Sequence, residues 1–473
     1  MVWVGTGTPN RISSLARDTV YHFRLFEYNG SGDAINYNTS AATGNPISQT
    51  TMAANPGSAV SDLALSNIGT DRFTVTWTKG TAGTNTLIVV RAGSAPTGPA
   101  DRNTYDESAA FGSGSDLGSG SYVVYTNTGT SVTVTGLTPG TLYYVRAYAF
   151  NGADGAQNYR TSDPANANGY TLTLEPTQAT AITFGTLADT SYAISFTAGN
   201  GLSRIVVVRQ GGAVSWTPTD GVAVSGENNN FASATDLGSG NKLVHRGAGP
   251  FTLSGLTAAT EYHVRVFEYN GTNATLNYNV NTASGNPASR YTLSTEPSAY
   301  GALTATALSD TQVKLDWTAA TGANGYIIVR RTGSAPTGAP VDGVGYAQGN
   351  TIGDGQVVAV IASGAAGSHT DNYNTAANTT YHYLIFPFAY DGTPAHGTYN
   401  YRTSATVPGA NATTGKAEPT TSSTITSFLP TSSSSATVVW DNTGSADGTI
   451  ILIRAGGAVS ANPSDWTSYT ANL

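Results

Sequence analysis

A boundary dipeptide recurs four times along the chain, as Asn55-Pro56, Glu175-Pro176, Glu296-Pro297 and Glu418-Pro419, at a spacing of about 120 residues. Within each period the same landmarks return in the same order. An alternating apolar segment carries an aromatic residue at one place: Trp77, Phe196, Trp317 and Trp440. About ten to fifteen residues later comes an apolar run that ends in arginine, at Leu87 to Arg91, Ile205 to Arg209, Ile327 to Arg331 and Ile450 to Arg454. A fixed period of this length marks one supersecondary unit used repeatedly, so the chain folds as an array of equivalent modules.

A third landmark has the form Leu-x-x-x-Thr-x-Tyr. It reads Leu15, Thr19, Tyr21, then Leu137, Thr141, Tyr143, then Leu256, Thr260, Tyr262. The copy around Tyr381 departs from it, with Thr375 in place of the leucine. Each copy runs on to an Asn-Gly turn at Asn29, Asn151 and Asn270, replaced by Asp391-Gly392 in the last. Only 11% of the 473 residues are charged, while Thr, Val, Ile and Tyr suit a pleated, half-buried surface and Gly, Asn and Pro supply turns. The composition is that of an all-β protein.

These landmarks resemble the fibronectin type III domain, and the resemblance covers essentially the whole chain. In that family a tryptophan sits on strand B, and a tyrosine near the start of strand F makes the corner typical of Greek-key sandwiches. The resemblance implies an all-β fold of tandem Greek-key β-sandwiches arranged as a linear rod. It implies structural core roles for Trp77, Phe196, Trp317 and Trp440, with Phe196 a conservative departure, and corner roles for Tyr21, Tyr143, Tyr262 and Tyr381. The expected boundaries are a C-terminal half-repeat over 1–55, whole repeats over 56–175, 176–296 and 297–418, and an N-terminal half-repeat over 419–473. Pro56, Pro176, Pro297 and Pro419 are the expected linkers. Proline fixes φ and holds the preceding residue extended, so neighbouring repeats should swing little.

Strand patterns sharpen this picture. Val75 and Trp77 alternate with Thr74, Thr76 and Thr78, and Tyr262, Val264 and Val266 with His263 and Arg265, as half-buried strands do. The runs Leu87 to Val90 and Ile205 to Val208 are apolar on both faces, whereas a strand in an antiparallel sandwich normally keeps one face wet. Each repeat also exceeds the family's usual length of about 100 residues. The surplus lies in 92–120 and 210–240 and carries Tyr105, Phe111, Trp216 and Phe231. We expect this insertion to fold over the outer face, with Phe111 and Phe231 as plugs. The competing reading leaves that face open for interaction.

No catalytic constellation is present: there is no Gly-x-Ser-x-Gly elbow, no P-loop and no dinucleotide-binding glycine fingerprint. His22, His263 and His382 follow the corner tyrosine in three copies, which reads as a recurring outward strand position. Asp116 and Asp236 each sit in an Asp-Leu-Gly-Ser-Gly loop, where one carboxylate is too few for calcium and suits a turn cap instead. No cofactor or metal is therefore expected. A net charge of −8 argues against nucleic-acid or anionic-lipid partners, and no segment is long and apolar enough to insert in a membrane as a helix. The aromatics Tyr28, Tyr148, Phe150, Phe267 and Tyr269 suit either a glycan platform or burial beneath the insertion.

A half-sandwich exposes its core face and unpaired edges. Two expectations account for the half-repeats at either end: a window onto a longer repetitive chain, or head-to-tail self-association in which one subunit's half is completed by the next. Both lead to a non-catalytic, extracellular or cell-surface fibre or stalk, with glycans or other surface proteins as further candidate partners. The alternative is a spacer or carbohydrate-binding region of a larger secreted enzyme or adhesin.

Overall fold

Alternation becomes burial in the computed structural model, which describes residues 4–7, 11–83, 85–441 and 446–471. Along Phe73–Thr78, Phe73, Val75 and Trp77 point inward while the threonines between them stay at least partly wet. This strand is the centre of a three-stranded antiparallel sheet, between Ser61–Ser66 and Ser131–Val134. The opposing sheet is built on Asn85–Ala92. It is flanked by Tyr122–Asn127 on one side and on the other by Leu142–Asn151, which in turn pairs with Asn158–Tyr159 and Ala165–Tyr170. Consecutive strands thus cross between sheets, a Greek-key sandwich. Ile88, Val90, Val124, Tyr143 and Val145 from one sheet close on Phe73, Val75, Trp77 and Val134 from the other.

The same plan recurs twice. In the next repeat Tyr192–Thr197 lies between Thr180–Gly185 and Phe251–Leu253, facing a sheet centred on Ser203–Gln210 and Glu261–Asn270. In the third, Val313–Trp317 lies between Leu303–Ala307 and Gly367–Asp371, facing Gly325–Thr332 and Thr380–Ala389. The chain divides into two compact units, Met1–Leu293 and Ser294–Leu473. The first holds two whole sandwiches, the second one.

The double-faced apolar strand is accounted for by a third layer. Leu87, Val89, Val123, Tyr148, Phe150 and Tyr159 form a second core on the outer side of their sheet, roofed by Tyr105 and Leu117. Ile205, Val207, Leu243, Phe267 and Tyr278 do the same under Val214, Trp216, Val224 and Leu237, with the Trp216 ring edge-on to Phe267 at 6.0 Å. The insertion therefore covers the outer face, and both faces of Leu87 to Val90 are dry. Phe111 and Phe231, however, are not its plugs. Phe111 donates its N–H to Thr135 and Phe231 to Ser254 across isolated parallel bridges, which carries each ring over the open edge between the two sheets. There they meet the corner tyrosines edge-on, at 5.2 Å from Tyr143 and 5.1 Å from Tyr262.

In the whole repeats the arginine that closes the apolar run starts this layer, and Arg454 makes the same contact. Arg91 Nη1 donates to Ala95 O, Arg209 to Ala213, Arg331 to Ala335 and Arg454 to Ala458, always four residues on. Arg91, Arg209 and Arg331 make this bond where the chain leaves a strand, whereas Ile450 to Arg454 forms no strand.

Among the described residues, the end stretches form only two-stranded pairings. Val20–Phe23 pairs with Ile47–Thr50, and Tyr28–Asn29 with Asn36–Tyr37, leaving Leu25, Phe26, Tyr28, Tyr37 and Ile47 exposed. At the other end Thr424–Ser432 and Ser435–Asp441 form a hairpin with no opposing sheet among the described residues. Trp440, expected in a core like its counterparts, is 38% exposed against 5% for Trp77 and 6% for Trp317. Phe196 is half-buried and packs against its core.

Candidate functional site

Four tyrosines repeat one contact. The phenol oxygen accepts the backbone N–H five residues upstream: Ala16 to Tyr21, Thr138 to Tyr143, Thr257 to Tyr262 and Ala376 to Tyr381, at 2.8 to 2.9 Å. The bond fixes the loop entering the strand, and the ring beneath it fills the core in the three whole repeats. The threonine two residues before each tyrosine meets a second threonine from the end of the repeat. Thr51, Thr171, Thr292 and Thr414 each accept the N–H of Thr19, Thr141, Thr260 and Thr379. Their hydroxyls donate to Ala16, Thr138, Thr257 and Ala376.

Just beyond that second threonine lies the most regular polar construction in the chain. Leu172 donates its N–H to Gly69 of its own repeat, while Thr173, the very next residue, donates to Thr275 O of the succeeding repeat at 3.1 Å. Asn277 Nδ2 then binds Thr173 O, Asn270 Nδ2 binds Leu174 O, and Asn279 Nδ2 binds Pro176 O at 2.8 Å. Ala53 is held in the same way. It donates to Ala156 O at 2.8 Å, and its carbonyl accepts from Asn158. Asn151 binds Ala54 O and Arg160 binds Pro56 O. Within the second unit, Ser294 donates to Thr398 O, its carbonyl accepts from Asn400, and Pro297 O accepts from Arg402. The Asn-Gly turn and the Asn-Tyr motif after it are thus a cradle for an extended segment.

This corrects the place of the linker. Pro56, Pro176 and Pro297 are buried and already part of the succeeding repeat, whereas Pro419 is exposed. Leu172 and Thr173 are adjacent, with no spacer between their two partners, so the changeover lies four residues before the proline. The glycine of the turn is required by geometry. Gly152 and Gly271 take φ of +88° and +80°, and a Cβ on either would lie about 2.5 Å from the carbonyl oxygen of Ala156 or Thr275.

The remaining chemistry is structural. Asp116 Oδ1 accepts the N–H groups of Gly118 and Ser121, and Asp236 that of Gly238, so both carboxylates cap their own turns. Among the described residues no group of three His, Asp or Glu side chains could hold a metal ion. Tyr148, Phe150, Phe267 and Tyr269 are buried under the insertion, which removes them as a glycan platform, and Tyr28 alone of that set is exposed. The third repeat carries a buried ion pair that sequence inspection missed. Arg330 Nη1 lies 2.8 Å from Asp371 Oδ2, Tyr383 donates to the same oxygen, and the guanidinium covers the Tyr381 ring. Burial, and after it the Asp371 carboxylate, push the Tyr383 phenol well above its ordinary range. Aligning the repeats would have flagged it, because Val90, Val134 and Val145 stand at the same three places in the first whole repeat.

Residues 58–167 match the fibronectin type III domain family. Among solved structures, the chain is similar to the FN1–FN3 domains of chicken CNTN1, at 14% identity and a TM-score of 0.27, over 76% of this chain and 99% of that one. It is similar to a two-domain fibronectin type III segment of chicken tenascin, at 16% identity and a TM-score of 0.22, over 46% and 97%. A computationally redesigned β-sandwich protein aligns at 23% identity and a TM-score of 0.17, over 25% and 97%. No curated protein matches the chain.

Proposed function

We propose, from the premise that this chain is an array of tandem fibronectin type III-like repeats, that it is a non-catalytic structural or adhesive segment of an extracellular fibre or surface stalk. Such repeats are typically non-catalytic and commonly extracellular, and no helix among the described residues is long and apolar enough to cross a membrane. The observation that carries the reading is the junction at Leu172 and Thr173, where adjacent residues are bonded into different sandwiches. A flexible tether would leave polar residues free between domains. Here four hydrogen bonds to the backbone of 173–176 take up that freedom, each worth about 1 kcal/mol net. A chain that invests its recurring asparagines in fixing one sandwich to the next is suited to transmitting position and load along its length.

Absence of a catalytic constellation in the sequence supports the same reading, as does the use of the insertions to roof a second core rather than to line a cleft. A spacer within a larger secreted enzyme or adhesin would use the same construction. Electron microscopy of native material with an antibody to the whole repeats separates these. Labelled uniform filaments or stalks are expected, and label confined to single particles carrying another globular body would contradict the fibre.

A further inference from the structure

The third whole repeat lacks the aromatic that closes the open edge between the sheets in the other two. Phe111 and Phe231 lie there against the corner tyrosines, each held by Thr135 O or Ser254 O, the carbonyl eight residues before that tyrosine. In the third repeat the only aromatic between residues 332 and 355 is Tyr346, which roofs the outer core instead. The carbonyl eight residues before its corner tyrosine is Tyr373 O, and it accepts from Arg330 Nη1 at 2.8 Å. The Arg330 guanidinium lies 4.6 Å from the centre of the Tyr381 ring. A cation has taken the place of a ring.

What remains at this edge is an open pocket of about 230 Å³. Arg330, only 6% exposed, forms part of its wall and spends a single nitrogen, Nη1, on Asp371 and Tyr373. Asp371 also accepts from the Tyr383 hydroxyl and the Tyr373 N–H, so the guanidinium does not carry that carboxylate alone. The Nε–Nη2 edge of Arg330 makes no hydrogen bond among the described residues and is not sealed from solvent. Gln356, which pairs across the strands with Arg330, adds an amide, and Thr332 and Thr351 add hydroxyls. None of these three side chains makes a hydrogen bond among the described residues. Asp354 completes the wall, accepting from Thr337 and pairing with Arg331 at 2.8 Å. In the first whole repeat Val90 and Tyr122 stand where Arg330 and Gln356 stand, and the Phe111 ring packs edge-on to Tyr122 at 5.1 Å. There the space is filled.

We propose that this pocket binds a sugar acid through its carboxylate. The carboxylate takes the Nε–Nη2 edge of Arg330 as a planar fork of two charge-assisted hydrogen bonds, a geometry that guanidinium offers and an ammonium does not. The sugar hydroxyls bond to Gln356, Thr332 and Thr351. Asp354 Oδ1 accepts one hydrogen bond from Thr337 and has a lone pair left for a hydroxyl. Asp354 also sets the class of ligand. Its charge repels a doubly charged phosphate, and it favours a singly charged ligand that carries hydroxyl donors as well. The pocket lies within one sandwich, so it works alike in a fibre, a stalk or a spacer.

Ligand-observed NMR titration of the intact chain with sodium D-glucuronate, D-glucose and sodium acetate tests this. Glucuronate is expected to bind. Glucose, which lacks the carboxylate, should not, and acetate, which lacks the hydroxyls, should bind at least about tenfold more weakly. Gln356→Tyr restores the residue of the first whole repeat and fills the pocket without altering Arg330 or Asp371. It should weaken glucuronate binding more than about tenfold and leave the unfolding midpoint of the repeat in place. Arg330→Val/Asp371→Val/Tyr383→Val closes the core without the fork and should abolish binding. Failure of glucuronate to bind the intact chain overturns the site. So does glucose or acetate binding as tightly as glucuronate, or an affinity that either variant leaves unchanged.

Discussion

Three residues show how far one repeat departs from another without losing the fold. Arg330, Asp371 and Tyr383 replace three valines of the first whole repeat with one buried, hydrogen-bonded ion pair. Removing one member strands a charge, whereas removing all three restores an apolar core. Asp371→Ala should therefore destabilise the third repeat by about 3–5 kcal/mol, and Arg330→Val/Asp371→Val/Tyr383→Val should be neutral or stabilising, both read by denaturant unfolding. If the single substitution proves as mild as the triple one, the pair is not the buried element described. The corner is a second residue-scale test: Tyr143→Phe keeps the ring but strands the Thr138 N–H, a loss of about 1–3 kcal/mol by the same measurement. Burial also raises the phenols of Tyr159, Tyr192 and Tyr401 above their ordinary value. A phenol raised in the folded state holds its proton more tightly there than when unfolded. Its contribution is complete below the unfolded value of about 10 and is lost as pH rises through the folded one. Stability should be level from pH 7 to about 9 and fall steeply above about 10. A flat profile across that range would mean the rings are open to solvent.

At the scale of elements, the insertion decides whether each repeat has one core or two. Amides of Leu87 to Val90 and Ile205 to Val208 should be among the slowest to exchange with deuterium, because both faces of these strands are covered. Trp216→Ala should speed exchange at Val207 and its neighbours on the outer face, at roughly 1–3 kcal/mol, while Phe231→Ala should loosen the inter-sheet core around Tyr262 instead. The same response to both substitutions would contradict the assignment of the two aromatics to opposite sides. This distinction was only half legible in the sequence. Apolar residues at consecutive positions such as Ile205 and Val206 reveal that both faces need cover. Phe111 and Phe231 sit among Gly and Ser with no periodicity, and what sends them inward is a single bridge to Thr135 or Ser254 that leaves no pattern. The corner tyrosines and the tryptophan strand were legible because alternation dictates them. Trp440 misled because the strand is there but, among the described residues, its opposing sheet is not. The junction could have been found: Thr51, Thr171, Thr292 and Thr414 each stand five residues before a recurring proline, yet the proline is the residue that draws the eye.

At the scale of the whole molecule, repetition is the argument. Each whole sandwich closes its own core, and its polar signature is spent on the segment that leads into it. That division of labour fits a structural or spacer module. Single-molecule pulling on the intact chain tests it most directly. Three separate unfolding steps are expected, each lengthening the chain by roughly 350–400 Å, from about 115 residues at ~3.5 Å less a folded span of on the order of 35 Å. One cooperative step of about three times that length, or extension without discrete steps, would contradict a chain of self-sufficient sandwiches.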